Sequence, residues 1–406
     1  MVPIVHLLTV RNLQEAKSEL AAVGSDPASH NIMAPKMSHL LIKIKDLDAR
    51  AANVLKQEML AKGGEAAVAK WVSTFSQPTS DVILMGTLKQ YGWLLKNLGV
   101  QPHGLKQLVE PIERILNSLA PRTIKLICGR HNLTIGGKTL VMGILNVTPD
   151  SFSEQGLFFD AAKAVEHARR MVEDGADIID IGGESTRPGA EPVDAQEEMR
   201  RVVPVVKELA LEVDVPLSID TAKAAVAEAA IAAGASIVND VTALTGDDEM
   251  APLCARAGVP VILMHMKGEP RKMQENPVYD DLISEVVGYL QGRVSAAKEA
   301  GVDEGSLLID PGIGFGKSAG HNLEILKRLC EFKSLGLPLV LGTSRKSTIG
   351  HVLGGLPTEA RLEGTAATIA VGILNGANIV RVHDVKEMVR VARMTDAIVT
   401  GERWHG

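Results

Sequence analysis

Eight short apolar runs between Leu140 and the end of the chain constrain the fold more than any other feature of the sequence. Each run is rich in Val, Ile and Leu, and each is followed by a turn and a segment with helical periodicity. Continuous apolar runs of this kind are typical of strands buried on both faces of a parallel sheet. In chain order the runs are LVMGILN, DIIDIGG, PLSID, SIVND, PVILMHM, LLIDPG, LVLGTS and NIVRVHD.

The number and spacing of these runs favour a closed barrel. Asn146 in the first run and Arg381 in the last are 235 residues apart, or about 34 residues for each of seven steps, close to the about 250 residues typical of eight units. An open doubly wound sheet is the alternative, but that fold begins with a Gly-rich turn that does not follow the first run. We therefore predict a (β/α)8 TIM barrel.

The first part of the chain is predicted to be a separate, smaller α/β domain. At 406 residues the sequence is too long for one average domain. Apolar runs alternate with helical patterns here, beginning with IVHLLTV at residues 4–10. The predicted domains are residues 1–124, to which no chemistry is assigned, and residues 125–406. Just inside the second, Gly136 and Gly137 lie between two short strand-like runs and predict a hairpin turn.

Charge and cysteine content exclude several classes of function. A net charge of −6 and a pI near 6.0 argue against a general nucleic-acid binder. Cys128, Cys254 and Cys330 are far apart and form no CxxC pair, which fits a reduced compartment. No apolar stretch reaches membrane-spanning length. We expect a cytoplasmic protein whose partners are small molecules, with no role at a membrane or on nucleic acid.

The loop DPGIGFGKS at residues 310–318 looks like a phosphate-binding loop but does not match one. A Walker A loop requires glycine six positions before its lysine, and Pro311 occupies that position relative to Lys317. The spacing of Gly312, Gly314 and Gly316 also departs from the dinucleotide-binding fingerprint. Asp310 and its loop therefore need another explanation.

Polar residues follow every apolar run, at the point where each predicted strand ends. In a barrel the carboxyl ends of all strands open on one face, so these side chains should line one pocket. A single strand-end Asp or Asn is often only a helix cap, but eight sites out of eight are not explained by capping. The residues are Asn146, Asp180 with Glu184, Asp220, Asn239, His265, Asp310, Ser344 with Lys346, and Arg381 with His383.

Arg381 and His383 predict an anion site. They lie two residues apart on one strand and so share a face. Buried cations need a compensating anion, and a guanidinium suits phosphate.

The acidic side of the pocket suits a polar heterocycle. Asp220, Asn239 and Asp310 can accept from ring N–H and amine groups, and Lys346 can donate to a ring carbonyl. A divalent-metal cage is the alternative, which the neighbouring lysine disfavours. His265 is interpreted as a packed wall residue, and Asp180 and Glu184 as either loop supports or substrate contacts.

Taken together, the strand-end motifs resemble the dihydropteroate synthase family, in order and in register, from about Leu140 to the C-terminus. The resemblance implies condensation of 6-hydroxymethyl-7,8-dihydropterin pyrophosphate with para-aminobenzoate to give 7,8-dihydropteroate and pyrophosphate. It also implies a Mg²⁺ cofactor and a homodimer formed through barrel helices. The motifs are GILNVTPDSFS, DIGGESTRPGA, SIDT, NDV, MHM, DPGIGFGK, GTSRKSTIG and RVHDV.

The same resemblance implies the roles of individual residues. The pterin would contact Asp220, Asn239, Asp310, Phe315 and Lys346. The pyrophosphate would contact Asn146, Arg381 and His383, with Asn146 also on the metal ion; these three with Lys346 and Asp310 form the catalytic set. Ser347 would meet the aminobenzoate carboxylate, and two mobile loops would carry Phe152, Thr186, Arg187 and Pro188. The chain departs from the family pattern at Glu154 and Gln155, where the first loop commonly has Asp-Gly.

Two other functions remain open from the sequence. A methyltetrahydrofolate-dependent methyltransferase that serves a corrinoid protein would share the pterin ligands, but it has no use for Arg381 and His383 as a diphosphate site. An inactive barrel kept as a binding or scaffold module is the second, although such barrels usually lose a site residue and none is missing here.

Overall fold

The computed structural model describes residues 3–120, 122–148, 161–185, 193–268, 273 and 277–401. The chain divides into two compact units, residues 1–121 and 122–406, close to the boundary expected from the sequence. Each unit has its own hydrophobic core.

The first unit is built on a three-stranded antiparallel sheet with the strand order β1-β3-β2. Its strands are β1 (His39–Asp48), β2 (Glu65–Val68) and β3 (Thr79–Thr87). Its helices are α1 (Leu13–Ala22), α2 (Pro27–Met37), α3 (Ala49–Ala61), α4 (Leu88–Leu98) and α5 (Val109–Ser118).

Alternation along β3 explains how this small sheet forms a core. Val82 and Leu84 are fully buried and pack with Leu55 of α3 and Leu94 of α4, whereas Ile83 on the other face is 39% exposed. This period of two is that of a strand with one buried face. The smaller α/β domain predicted from the sequence is therefore present.

The strand predicted at residues 4–10 is wrong. Residues 3–11 have neither helical nor strand hydrogen bonding, and Ile4, Val5 and Leu7 are more than nine-tenths exposed. A strand requires a neighbour that completes its backbone hydrogen bonds, and the three-stranded sheet contains none beside this segment.

The second unit is the predicted barrel of eight parallel strands. The sheet order is β11-β10-β9-β8-β7-β6-β13-β12, and a parallel bridge between Ile309 and Leu339 joins the two ends. The strands are β6 (Leu140–Asn146), β7 (Ile178–Gly182), β8 (Leu217–Asp220), β9 (Ile237–Asp240), β10 (Val261–Met264), β11 (Leu307–Asp310), β12 (Val340–Leu341) and β13 (Ile379–Val382).

Helices connect successive strands, as a parallel sheet requires. Many of their apolar side chains pack against the outward-facing residues of the strands in one continuous core. The described helices are α6 (Ala161–Glu173), α7 (Ala195–Glu212), α8 (Ala224–Ala233), α9 (Met250–Ala257), α10 (Leu282–Glu299), α11 (Ala319–Lys327), α12 (Ser347–Val352), α13 (Leu362–Leu374) and α14 (Val385–Thr400). Within the described ranges, no helix combines the length and apolar character needed to cross a bilayer.

A hairpin closes the amino-terminal end of the barrel. Its strands are β4 (Ile124–Cys128) and β5 (His131–Ile135). Leu126, Cys128 and Ile135 are buried against the first inward residues of the barrel strands, such as Met142 and Ile379. Because this end is filled with apolar side chains, polar chemistry is confined to the carboxyl-terminal end.

The predicted position of the hairpin turn is wrong. Cys128 pairs with His131, so the turn consists of Gly129 and Arg130, and Gly136 and Gly137 follow the second strand. Gly136 has a φ of 105°, and a Cβ there would lie 2.2 Å from the carbonyl oxygen of Arg122. That glycine therefore allows a close backbone approach rather than forming the turn.

Candidate active site

Arg381 joins residues from four barrel strands. Its Nε donates to Oδ2 of Asp180 at 2.6 Å, and its Nη2 donates to Oδ2 of Asp220 at 2.6 Å. Asn239 Nδ2 also donates to Oδ2 of Asp180, at 3.0 Å. β7, β8, β9 and β13 thus bring these strand-end residues into one hydrogen-bonded network.

This network differs from the expected separation of cations from carboxylates. The sequence interpretation offset the charge of Arg381 with a bound anion, whereas two aspartates already do so. Their carboxylates raise the pKa of Arg381 against the opposing effect of burial. The long arginine side chain crosses the mouth to strands that are not its sequence neighbours, which the spacing of motifs does not reveal.

Asp310 opens on the same end of the barrel as Arg381. A Cβ placed on Gly342 would lie 3.9 Å from Cβ of Arg381 and 4.0 Å from Oδ2 of Asp310. The Asp310 carboxylate is buried and accepts from the backbone N–H of Gly312 at 2.7 Å. Burial raises its pKa, although that N–H bond and the charge of Lys346 act in the opposite direction.

Three glycines let the loop after Asp310 lie against the end of β10. Gly312, Gly314 and Gly316 have φ values of 69°, 82° and 63°, which favour glycine. A Cβ on Gly312 would lie 1.9 Å from the carbonyl oxygen of His265. The glycine spacing that resembled a phosphate loop is therefore explained by turns and close packing.

Phe315 supplies an apolar wall near the mouth. It is 7% exposed and packs with Val241, Met264 and Met273. The Nζ of Lys346 lies 4.2 Å from the centre of its ring, a cation–π distance. A flat ring bound here would meet polar groups at its edge and apolar groups at its face.

His383 and Asn146 lie at the ends of the neighbouring strands β13 and β6, and both are half-buried. Nδ1 of His383 is 3.0 Å from Oγ of the buried Ser344, which fixes the orientation of the imidazole. Ser347 is exposed and is the first residue of α12, so it lies at a helix start as the sequence predicted.

Asp180 and Glu184 take different parts in the site. Asp180 is fully buried and holds Asn239 and Arg381, so it orders substrate-facing side chains rather than a loop. Glu184 pairs with Lys223 and accepts from the backbone N–H of Val193 at 3.3 Å. Glu184 thus anchors the chain where the description resumes after residues 186–192.

Lys317 is a site residue that the sequence interpretation missed. It is 1% exposed, and its Nζ lies 2.7 Å from Nδ1 of His265. His265 is itself buried and makes an edge contact with Tyr289 at 4.9 Å. A lysine in a Gly-rich loop is normally assumed to face a ligand or solvent, so the sequence carried no signal for this burial.

The residues assigned to the two mobile loops cannot be placed. Phe152, Thr186, Arg187 and Pro188 lie outside the described residues, as do Glu154 and Gln155. Within the part of the chain that is described, no three His, Cys, Asp or Glu side chains cluster as a metal site.

Comparison with known proteins gives a consistent family. Residues 142–383 match the family described as pterin binding enzyme. Over 270 residues the chain is 51% identical to the dihydropteroate synthase of Bacillus subtilis, which covers 66% of this chain and 92% of that protein. A probable bifunctional folylpolyglutamate synthase/dihydropteroate synthase of Haloferax volcanii is 41% identical over 94% of this chain, but over only 46% of its own length.

Solved structures agree. The Yersinia pestis dihydropteroate synthase, determined with a sulfonamide drug complex, superposes with a TM-score of 0.65 at 44% identity and covers 68% of this chain and 100% of that one. The Xanthomonas albilineans enzyme in complex with 7,8-dihydropteroate gives a TM-score of 0.62 at 42% identity, covering 68% and 98%.

Proposed function

The chain belongs to the pterin-binding enzyme family, and from this premise we propose how the mouth of its barrel carries out the reaction. Its function is that of a dihydropteroate synthase, a transferase of folate synthesis. The enzyme condenses 6-hydroxymethyl-7,8-dihydropterin pyrophosphate with para-aminobenzoate, and dihydropteroate and pyrophosphate leave. The observation that carries the proposed roles is the meeting of Arg381, Asp220 and Asp310 at one end of the barrel.

The pterin ring binds between the acidic residues and the apolar wall. Asp220, Asn239 and Asp310 accept from the aminopyrimidine edge or donate to it, and Lys346 donates to the ring carbonyl. Phe315 covers one face of the ring. Burial of these groups supports the assignment, because buried polar side chains bind a ligand that replaces the lost water contacts.

The diphosphate binds at Arg381 and His383. The two carboxylate bonds use two of the five N–H donors of the guanidinium, which leaves three that can face an anion. Asp180 and Asp220 hold the guanidinium in one orientation, so little reorganisation is needed when charge develops on the leaving group.

Asn146 is the residue of this chain that would hold Mg²⁺. The donor set fits this ion because Mg²⁺ keeps several waters and binds through one or two protein oxygens together with substrate phosphates. When bound, the ion neutralises charge on the diphosphate.

The reaction begins with cleavage of the bond between the pterin methylene carbon and the diphosphate oxygen. Both bonding electrons leave with pyrophosphate, whose charge Arg381 and His383 stabilise. The carboxylates of Asp220 and Asp310 stabilise the cation that remains on the pterin. The aminobenzoate nitrogen then forms the C–N bond and releases one proton; an aromatic amine is unprotonated at neutral pH, so no strong base is needed. Ser347 and the first backbone N–H groups of α12 hold the aminobenzoate carboxylate.

Product analysis with the purified full chain tests this function. We expect 7,8-dihydropteroate and pyrophosphate in equal amounts when both substrates and Mg²⁺ are present. Pyrophosphate release that transfers nothing to aminobenzoate, or methyl transfer from methyltetrahydrofolate to a corrinoid protein, would contradict it.

The protein forms a homodimer through its last barrel helices. Val371 and Leu374 of α13 and Met394 and Ile398 of α14 are 42–64% exposed, and the two helices are neighbours. Exposed apolar groups on adjacent helices are typical of a subunit interface. Light scattering should give a dimer for the wild type and for Leu211→Glu, an equally apolar but separate exposed position, and a monomer for Met394→Glu. A monomeric wild type would contradict the proposal.

The protein works in the cytoplasm, where its two buried thiols and exposed Cys330 remain reduced. The N-terminal α/β domain, residues 1–124 in the sequence interpretation, folds as a unit separate from the catalytic barrel of residues 125–406.

A further inference from the structure

A fully buried lysine lies beneath the loop that carries Asp310 and Phe315. Lys317 is 1% exposed, which is rare for a lysine because its ammonium loses most of its hydration. Such a charge is retained only where several acceptors replace water.

The acceptors around Lys317 come from both sides of the loop. Its Nζ lies 3.0 Å from the carbonyl oxygen of Gly312, 3.0 Å from that of Phe315 and 2.7 Å from Nδ1 of His265. These three groups match the three donors of an ammonium. Nδ1 of His265 must then be the acceptor, and burial agrees, because it lowers the pKa of His265 to about 3 and keeps the ring neutral.

Each of these contacts fixes a group on the pterin side of the loop. The carbonyl of Gly312 belongs to the residue whose N–H binds the Asp310 carboxylate. The carbonyl of Phe315 belongs to the residue whose ring lies under Lys346. Burial lowers the pKa of Lys317 and the charge of Asp310 opposes that shift, so the two charges stabilise each other.

Other contacts hold the rim of the loop but do not replace the lysine. Asn322 Oδ1 accepts from the N–H of Gly314 at 2.9 Å, and Tyr279 donates to the carbonyl of Gly316 at 2.7 Å. Neither reaches the carbonyls of Gly312 or Phe315, so removal of the ammonium would leave both carbonyls without this donor.

We propose that Lys317 is a positioning residue for pterin recognition, which holds Asp310 and Phe315 in the geometry that binds the ring. The inference rests on the proposed function. Lys317 does not touch substrate, and its ammonium acts as an internal cation for the loop's own carbonyls.

Calorimetric titration of pterin pyrophosphate into the full chain tests the inference. Lys317→Met keeps the length of the side chain and removes the donors; we expect affinity to fall by about tenfold or more. Lys327→Met, at an exposed lysine on α11, is the matched control and should bind as the wild type does. At saturating pterin, the KM for aminobenzoate should stay within about threefold of the wild type, a split that general loosening of the barrel would not produce.

His265 supplies a second pair of variants in case Lys317→Met does not fold. His265→Asn keeps an acceptor for the lysine and should bind the pterin nearly as the wild type does, whereas His265→Leu removes it and should weaken binding. If Lys317→Met folds and binds like the wild type, or if His265→Leu does, the inference is overturned. If the wild type itself fails to bind, the proposed function is wrong instead.

Discussion

Arg381 lies between two carboxylates that come from different strands, and this placement makes its guanidinium rigid before any substrate arrives. Asp180 accounts for half of that rigidity without an exposed atom. A preorganised charge of this kind contributes more to rate than a flexible one, because no free energy is spent on orienting it during the reaction.

Single substitutions at the two ends of the pocket should both remove most activity. We expect Asp310→Ala and Arg381→Ala each to lower kcat/KM for pterin pyrophosphate by about 100-fold or more. Arg390→Ala, at an exposed arginine on α14, is the control and should be active. Steady-state assays decide the matter, and near-normal turnover in either site variant refutes the assigned role.

Asp220 should give the reaction an acid limb near neutrality. Burial raises its pKa to about 7, with Arg381 opposing and the carboxylates of Asp180, Glu198 and Asp240 adding to the shift. The ionised form accepts from the pterin, so kcat/KM should fall as the pH is lowered through about 7. In Asp220→Asn, kcat/KM should be lower and this limb absent; an acid limb at the same pH in that variant would contradict the assignment.

At the scale of elements, the barrel could be predicted because its strands are short, continuous apolar runs with a regular spacing. The strand-end residues were found for the same reason, since the carboxyl ends of parallel strands share one face. Two features were not accessible in this way. The partners of Arg381 depend on which way a long side chain leans, and the burial of Lys317 depends on carbonyls that the loop turns inward.

Turns and pairing were the weaker part of the prediction. Gly129 with Arg130 and Gly136 with Gly137 both offer glycine between apolar runs, and only the register of β4 with β5 distinguishes them. The run at residues 4–10 has the composition of a strand but no neighbour, which local sequence does not report.

The hairpin that closes the barrel should contribute to stability and not to chemistry. Leu126 is 1% exposed and Ile127, on the opposite face of β4, is 64% exposed. We expect Leu126→Ala to lower the free energy of unfolding by about 2–5 kcal/mol, while Ile127→Ala changes it little. Urea unfolding measures both, and KM values should be unchanged in the folded variants. Equal effects of the two substitutions would contradict a packed floor.

At the scale of the whole molecule, every described candidate site residue lies in the second unit, together with the clusters that support it. Residues 122–406 alone should therefore catalyse the condensation at a rate comparable to that of the full chain. This segment keeps Arg122, whose carbonyl lies against Gly136. Complete loss of activity in a folded barrel would make the first domain part of the working enzyme.

The central claim is that one mouth holds the pterin against carboxylates and the diphosphate against Arg381. A crystal structure of the full chain with pterin pyrophosphate and Mg²⁺ measures this directly. The account predicts the aminopyrimidine edge at Asp220, Asn239 and Asp310, with the diphosphate within hydrogen-bonding distance of Arg381. A diphosphate bound away from Arg381, or a ring bound elsewhere on the barrel, would contradict it.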